Sequence, residues 1–300
     1  MPETCITQAL DLVLVGAISK DENIYRDRNE RSIGGAVTYG AFAAKRSGSS
    51  VGVITKLAAE DRHLVDPLCD EDIPVWVLPS KKTTAIRNVY HSSDKERRTC
   101  TCLAATDAFT PENLPTLSTK IIHAAALIKG EIPLQTVQSM TRIAEVGLDL
   151  QGFLRVSRDT KMVFERTDEV EQALKSVSYL KADANEAQIL TAKTDRVEAA
   201  LQIAAMGPKE VVISHSDELV LACEGKIYKA PLTPHKIEGR TGRGDTLFCS
   251  YLARRTQGDA PSAALQFAAA LVSLKLESPG PFRGTMEDVR TKMQASHLEA

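Results

Sequence analysis

Short aliphatic runs alternate along this chain with stretches whose apolar residues recur at helical spacing, and that alternation predicts the architecture. Leu12 to Ile18 is the first run, and Gly34 to Ser47 follows at helical spacing, so the chain opens as strand, connection and helix. Val51 to Leu57 predicts a second strand, Asp61 to Cys69 a helix, and Val75 to Leu78, after Pro74, a third strand. This β-α-β-α-β order is the mark of a largely parallel sheet with helices on both faces.

Two segments break the rhythm. Ser19 to Ser32 is charged with almost no apolar periodicity, and Thr83 to Leu103 sets Ile86, Val89 and Tyr90 among polar residues, with Lys95-Glu96-Arg97-Arg98 as a hairpin tip. Together they predict a small β lid outside the main core. The pattern then resumes with strands at Ile121 to Ala125, Gly147 to Leu150, Val177 to Lys181 and Glu210 to Ser214. Helices are expected at Leu134 to Val146, Glu165 to Leu174, Glu186 to Thr191 and Arg196 to Ala205. Leu219 to Cys223 and Lys226 to Lys229 flank the turn Glu224-Gly225, and the last third is helical, with Ala264 to Leu276 apolar on one side and Pro279-Gly280-Pro281 as a stop.

Three hundred residues at 43% hydrophobic content suit one large α/β core with a small appendage. A formal net charge of −2 points away from nucleic acid and anionic membranes and towards a small-molecule partner. The cysteines at 5, 69, 100, 102, 223 and 249 form no C-x-x-C pair, and the histidines show no ligand spacing. Cys100 and Cys102 alternate to one face of a strand. Met1 to Asp11 lacks a basic leader and no apolar run approaches membrane-spanning length, so a reducing, cytoplasmic location is expected.

The most informative chemistry lies in Glu238-Gly239-Arg240-Thr241-Gly242-Arg243-Gly244-Asp245-Thr246-Leu247-Phe248, a glycine-rich turn that opens an apolar helix, roughly Gly244 to Thr256. Gly242 and Gly244 let the backbone take positive φ and approach a ligand, so successive N–H groups and the helix dipole can converge on an anion. Asp245 has two readings there: a helix N-cap, or a general base beside a transferring phosphoryl group. The glycines, with Arg240 and Arg243, lean towards phosphate. The spacing matches neither G-x-G-x-x-G nor G-x-x-x-x-G-K-[ST].

Thr241-Gly242-Arg243-Gly244-Asp245-Thr246 resembles the C-terminal signature of the ribokinase, or PfkB, family of sugar and nucleoside kinases. Gly34-Gly35, followed by a helix ending at Gly48, resembles its N-terminal signature, and Asp21 after Val15-Gly16-Ala17-Ile18-Ser19-Lys20 sits where the family places a substrate-binding Asp. The likeness runs over nearly the whole chain. It implies a ribokinase-like, doubly wound, mostly parallel α/β sheet flanked by helices, a single kinase domain over 1–300, and a lid from about 19–32 and 83–103. It implies ATP with Mg²⁺, and transfer of the γ-phosphoryl to a hydroxyl of a sugar or polyol.

On this resemblance Asp245 is the catalytic base, and the backbone of Gly242, Arg243 and Gly244 is the anion hole. Asp21, Gly34, Gly35, Tyr39, Gln151 and Arg155 are the substrate-side candidates, and Ser214 and Thr241 the nucleotide-side ones. Asp183-Ala184-Asn185-Glu186 resembles an N-x-x-E element that holds water ligands of Mg²⁺, with Asp183 in place of Asn. Each has a structural alternative: Asp21 capping local backbone, Gly34 and Gly35 forming a simple tight turn, Asp183 and Glu186 starting an exposed helix, Arg155 in a surface salt bridge.

Tyr39 departs from the pattern, since many sugar kinases of this family carry Asn four residues after the second glycine. It either faces the acceptor or packs beneath the lid. Leu148-Asp149-Leu150-Gln151-Gly152-Phe153-Leu154-Arg155, with Gly239 to Gly242 and Pro279-Gly280-Pro281-Phe282, resembles a branch that includes myo-inositol kinases, which makes a myo-inositol-like polyol the first acceptor candidate. A nucleoside kinase, stacking a base on Tyr39 or Phe109, and a catalytically silent ligand-binding relative are the alternatives. A monomer or a lid-mediated homodimer is expected.

Overall fold

A computed structural model describes residues 9–26, 28–91 and 98–298, with side chains to 295. Lys95 to Arg97 of the expected hairpin tip, and Cys5, lie outside the described residues. In chain order the first elements are β1 (Leu10–Val15), β2 (Ser19–Ile24), β3 (Asn29–Gly34), α1 (Ala36–Arg46), β4 (Val51–Leu57) and α2 (Asp66–Cys69). There follow β5 (Val75–Pro79), β6 (Thr84–Tyr90), β7 (Arg98–Ala104), β8 (Thr119–Ala124), α3 (Leu134–Met140), β9 (Glu145–Asp149) and α4 (Gln151–Leu154). Next are β10 (Arg155–Arg158), β11 (Lys161–Phe164), α5 (Val170–Leu174), β12 (Tyr179–Asp183), α6 (Ala184–Thr191) and α7 (Arg196–Ala204). The chain ends with β13 (Glu210–Ser214), β14 (Glu218–Cys223), β15 (Lys226–Pro231), α8 (Arg243–Thr256), α9 (Pro261–Leu276) and α10 (Met286–Leu298).

The large sheet has nine strands in the order β15-β14-β13-β12-β9-β8-β1-β4-β5. From β5 through β13 neighbours run parallel, and β14 and β15 add an antiparallel edge. Strand alternation explains why β1 is aliphatic from Leu12 to Val15. Leu12 and Leu14 enter one core with α1, α8 and α9, while Val13 and Val15 enter the other with α3, α5, α6 and α7. α8 packs against both α1 and α9, which fixes its N-terminus at the carboxyl ends of the central strands.

A second sheet of six strands, in the order β10-β11-β7-β6-β2-β3, stands over that edge. It holds strands within both segments that break the rhythm, and also β10 and β11, which the sequence reading did not anticipate. That hairpin turns through Asp159 and Thr160 at φ 47° and 71°, the conformation a two-residue turn demands, but without the glycine or asparagine that signals it.

Other boundaries also differ from expectation. The first strand stops at Val15, because the chain bends at Gly16, packed against the Ala125 carbonyl, to enter the second sheet at Ser19. The expected helix to Val146 ends at Met140, and Glu145 and Val146 belong to β9, paired with Ile121 and Ile122. Asp61 to Cys69 is a 3₁₀ segment, Ala59–Val65, followed by the four-residue α2 with Pro67 in its first turn. Glu165 to Leu174 is helical only from Val170, since Thr167 ties the preceding turn to the Phe153 carbonyl at 3.0 Å.

Gly35 makes the junction between the two sheets possible. It sits at φ 101°, and a Cβ there would lie 2.4 Å from the Ala17 carbonyl oxygen. Gly130 has a similar φ of 90° but open space around it. Gly35→Ala should therefore cost clearly more stability than Gly130→Ala, for which strain alone amounts to about 1 kcal/mol. Urea unfolding of the two variants checks this; equal losses would show that the close approach at Gly35 carries no energetic weight.

Candidate active site

A cleft of about 1500 Å³ runs between the second sheet and the carboxyl edge of the large sheet. It contains Asp245, Gly242, Arg243, Gly244, Tyr39, Gln151, Arg155, Asp183, Glu186, Ser214 and Thr241 of the predicted residues. An inner recess of about 80 Å³ opens from it, lined by Asp21 and Gly35 together with Tyr39, Gln151, Arg155 and Asp245. Gly34 lines neither space. A Cβ on it would lie 2.3 Å from Asp21 Oδ2, so its absence admits the Asp21 carboxylate.

The glycine turn is the pivot of the site. Gly242 caps α8 at φ 76°, and the Tyr39 ring lies so close that a Cβ on Gly242 would stand 2.1 Å from Tyr39 Cδ1. Tyr39 packs under the glycine turn and also borders the recess. Asp245 is in the first turn of α8, beyond the N-cap, so the capping role belongs to Gly242. Its carboxyl is pushed up to about 6, chiefly by desolvation and then by Asp149, while Lys181, Arg155 and Lys275 pull it back.

Beneath the turn lies a buried charge cluster. Lys181, near the end of β12, donates to both oxygens of Asp149 at 3.1 and 3.0 Å and stands 3.7 Å from Glu186. Its Nζ would be 3.0 Å from a Cβ on Gly244, so the ammonium lies directly below the backbone that would face an anion. Burial pushes the Glu186 carboxyl up, against the opposing pull of the Lys181 ammonium.

Asp183 and Glu186 form a capping box at the start of α6: Glu186 N donates to Asp183 Oδ1, and Asp183 N donates to Glu186 Oε2, each at 2.8 Å. Both also border the cleft. No group of three or more metal-ligating side chains occurs among the described residues. Two carboxylates at the cleft could accept from the waters of a hydrated Mg²⁺ carried in by phosphate, and Asp183 and Glu186 are placed for that.

On the recess side, Ser19 donates to Asp21 at 2.7 Å, and Arg98 and Arg155 are the nearby positive charges on Asp21. Burial nonetheless raises the Asp21 carboxyl above its usual range. Arg155 is no surface residue: it is buried, donates to Gln151 Oε1 at 2.9 Å, and leaves its Nε without a partner. Glu131 braces the floor, accepting from the Ala17 amide at 2.7 Å and the Leu127 amide at 3.0 Å, and desolvation pushes it up to about 7. Phe109, considered as a stacking ring, is fully buried under Lys56 and borders no part of the cleft.

Sequence reasoning did not single out Lys181, Arg98, Glu131 or Lys275. Only Lys275 carried a visible signal, as the sole charge in the apolar run Ala264 to Leu276.

Residues 5–287 match the pfkB family of carbohydrate kinases, and the chain belongs to that family. It is a phosphotransferase of ribokinase fold. A pyrophosphate-dependent kinase of the ribokinase family, solved with a pyrophosphate analogue and myo-inositol, is 31% identical, covers 93% of this chain and 99% of its own, and superposes with a TM-score of 0.86. A cytidine kinase from Thermococcus kodakarensis is 26% identical over 261 residues, 83% of this chain and 90% of its own. Ribokinase from Arabidopsis thaliana, solved with ribose and ATP, shares the fold at a TM-score of 0.73 and 19% identity, covering 96% of this chain and 99% of its own.

The raised Asp245 carboxyl has a sign that can be tested. Its folded value of about 6 exceeds the unfolded 3.8, so ionising it costs the fold nothing below the lower value and the full penalty above the higher one. Asp245→Asn should then be more stable than the parent by about 3 kcal/mol near pH 8. The gain should shrink towards pH 4, measured by urea unfolding at both. A variant less stable at pH 8 would contradict the desolvated environment.

Proposed function

We propose that the chain transfers a phosphoryl group from inorganic pyrophosphate to a hydroxyl of a cyclitol such as myo-inositol, with Asp245 as the general base. The observation that carries this reading is Asp245 at the junction of two differently built spaces. On one side lies the recess with Asp21, Arg155 and Gln151, and on the other the α8 N-terminus with its surrounding cations. Asp245 takes the acceptor proton as the acceptor oxygen bonds to phosphorus and the bridging oxygen leaves. The amides of Gly242, Arg243 and Gly244 meet the charge on the transferring group. Mg²⁺, when bound, supplies further neutralisation of the donor phosphates. Asp183 and Glu186 would hold its waters.

The recess supports a compact polyol. It mixes carboxylate, amide and guanidinium groups and is small, and Asp21, Gln151 and Arg155 can accept from and donate to several hydroxyls at once. A nucleoside base finds less. The Tyr25 and Tyr90 rings at the mouth stack on each other at 4.9 Å, and Arg28 covers Tyr25 at 4.8 Å, so the Tyr25 face is already occupied. The cytidine kinase relative keeps nucleosides in the test all the same.

Pyrophosphate is preferred to the ATP of the family expectation for two reasons. The relative at 31% identity is pyrophosphate-dependent, while the ATP-bound ribokinase is similar in fold alone. The donor end is also lined by Arg240, Arg243, Lys275 and Arg283, which suit a compact polyanion. On an ATP reading, Ser214 and Thr241 would touch the nucleotide.

Pairing pyrophosphate, ATP and CTP with myo-inositol, ribose, fructose, adenosine and cytidine, read by product formation, tests both halves. The expected best pair is pyrophosphate with myo-inositol. A nucleoside or ribose leading by kcat/KM would reject the acceptor, and ATP leading would reject the donor. With the best pair, Asp245→Asn should lose about 10²- to 10⁴-fold in kcat; wild-type turnover would remove Asp245 from the chemistry.

A further inference from the structure

We propose that Lys275 is the residue that fits the donor end of the cleft to a short inorganic polyanion, its ammonium meeting the charge of the departing phosphate. This rests on the placement of the donor over Gly242 to Gly244. Lys275 lies in the last turn of α9, the one charge in a helix that is otherwise almost wholly apolar. It is 2% exposed, yet it borders the cleft. No carboxylate lies within ion-pair distance of it among the described residues. Its Nζ makes one hydrogen bond, to the Gly239 carbonyl at 2.6 Å, and stands 5.6 Å from the Tyr39 ring centre.

An ammonium has three donors, and a buried one without a counter-ion is costly. A fold that keeps such a group beside an anion-binding turn has a site that is electrostatically complete only with an anion in it. Lys181, below the same turn, differs in this respect, because Asp149 and Glu186 already satisfy it. Of the two lysines at the turn, Lys275 is the one with no carboxylate in ion-pair distance among the described residues.

The surroundings hold Lys275 and the glycine turn in fixed relation. The segment before the glycine turn is bonded onto the end of α9: Thr233 N donates to Ser273 Oγ at 2.9 Å, and His235 N to Glu277 Oε1 at 2.9 Å. Glu238 N and Gly239 N both donate to the Leu276 carbonyl, at 2.9 and 3.0 Å. Gly239 approaches so closely that a Cβ would stand 1.9 Å from the Ser278 carbonyl oxygen. Segment and helix end are thus joined, and with Pro279 to Pro281 they wall the part of the cleft that Lys275 borders. In the transfer, the bond from phosphorus to the bridging oxygen breaks, and the electron pair stays on the departing phosphate. Its added negative charge develops where Lys275 can donate.

The charged and titratable groups that act on Lys275 are Arg243 and Asp245 of α8 and Tyr39 of α1, with Glu238 and Arg240 flanking the Gly239 carbonyl it bonds. Desolvation, with Arg243, brings the ammonium down to about 8 against the pull of Asp245. It is charged below that value and neutral above it, so its contribution to anion binding should fade as pH rises through 8.

Titration calorimetry with methylenediphosphonate near pH 7 and pH 9 tests this without requiring turnover. The proteins are the parent, Lys275→Met and Lys275→Gln, each first checked for folding by circular dichroism. Gln keeps a donor for the Gly239 carbonyl and removes the charge. Both variants should bind about 10- to 100-fold more weakly near pH 7, the range for a lost charged hydrogen bond. That disadvantage should shrink near pH 9. Restoration by Gln, or a loss independent of pH, would reduce Lys275 to a structural prop. Equal binding by all three would overturn its role, and no binding by the parent would instead overturn the donor placement on which it rests.

Discussion

The site depends on how charge is balanced where α8 meets the carboxyl edge of the large sheet. Asp149, Asp183, Glu186 and Asp245 crowd into one poorly solvated region, and Lys181, Lys275 and Arg155 are the cations set against them. Neither sign dominates. Lys181 is spent on Asp149 and Glu186, and it keeps those carboxylates from pushing Asp245 out of the range useful to a general base. The cations near Asp245 leave its carboxyl near 6, low enough to be ionised at neutral pH and high enough to take a proton. The glycine turn rests on this cluster from above, with the Tyr39 ring closing it from the other side.

The two sheets divide the work on physical grounds. The central strands of the large sheet are buried on both faces and so are largely aliphatic, with the polar groups that serve the site, Asp149, Lys181 and Asp183, towards their carboxyl ends. The second sheet has a wet face. In β6, buried positions alternate with half-buried ones, and among the buried ones are Thr84 and Asn88 as well as Ile86. Asn88 is held by a polar chain in which it donates to Asn23 Oδ1 at 3.1 Å and Asn23 donates to Ser32 at 3.0 Å. Such a lattice presents hydrogen-bonding groups in fixed directions, as recognition of a many-hydroxylated ring requires.

Much of this was legible in the chain. The aliphatic runs marked the strands of the large sheet because their burial leaves little choice of residue. The glycines at 34, 35, 242 and 244 marked both helix N-termini at the site, because each of these positions is crowded by its neighbours. What stayed hidden depended on contacts across the fold. The β10–β11 hairpin has polar strands and an atypical turn. Arg155 was a substrate-side candidate with a surface ion pair as its alternative, and its burial follows only when the second sheet stands over it. Lys181 and Glu131 read as ordinary charges, since nothing local shows that Asp149 or the Ala17 amide will be opposite them. The packing of residues 233–239 onto α9 was also out of view, since it rests on backbone contacts between distant segments.

The central claim, that Asp245 takes the acceptor proton from a desolvated, acid-crowded site, is tested most directly by the pH dependence of kcat/KM for the acceptor at saturating donor. The free enzyme should show an ascending limb with a midpoint near 6, where the Asp245 carboxyl ionises. Its residual counterpart in Asp245→Asn should lack that limb. A parent profile flat from about pH 5 to 8, or a limb that survives the substitution unchanged, would contradict the account.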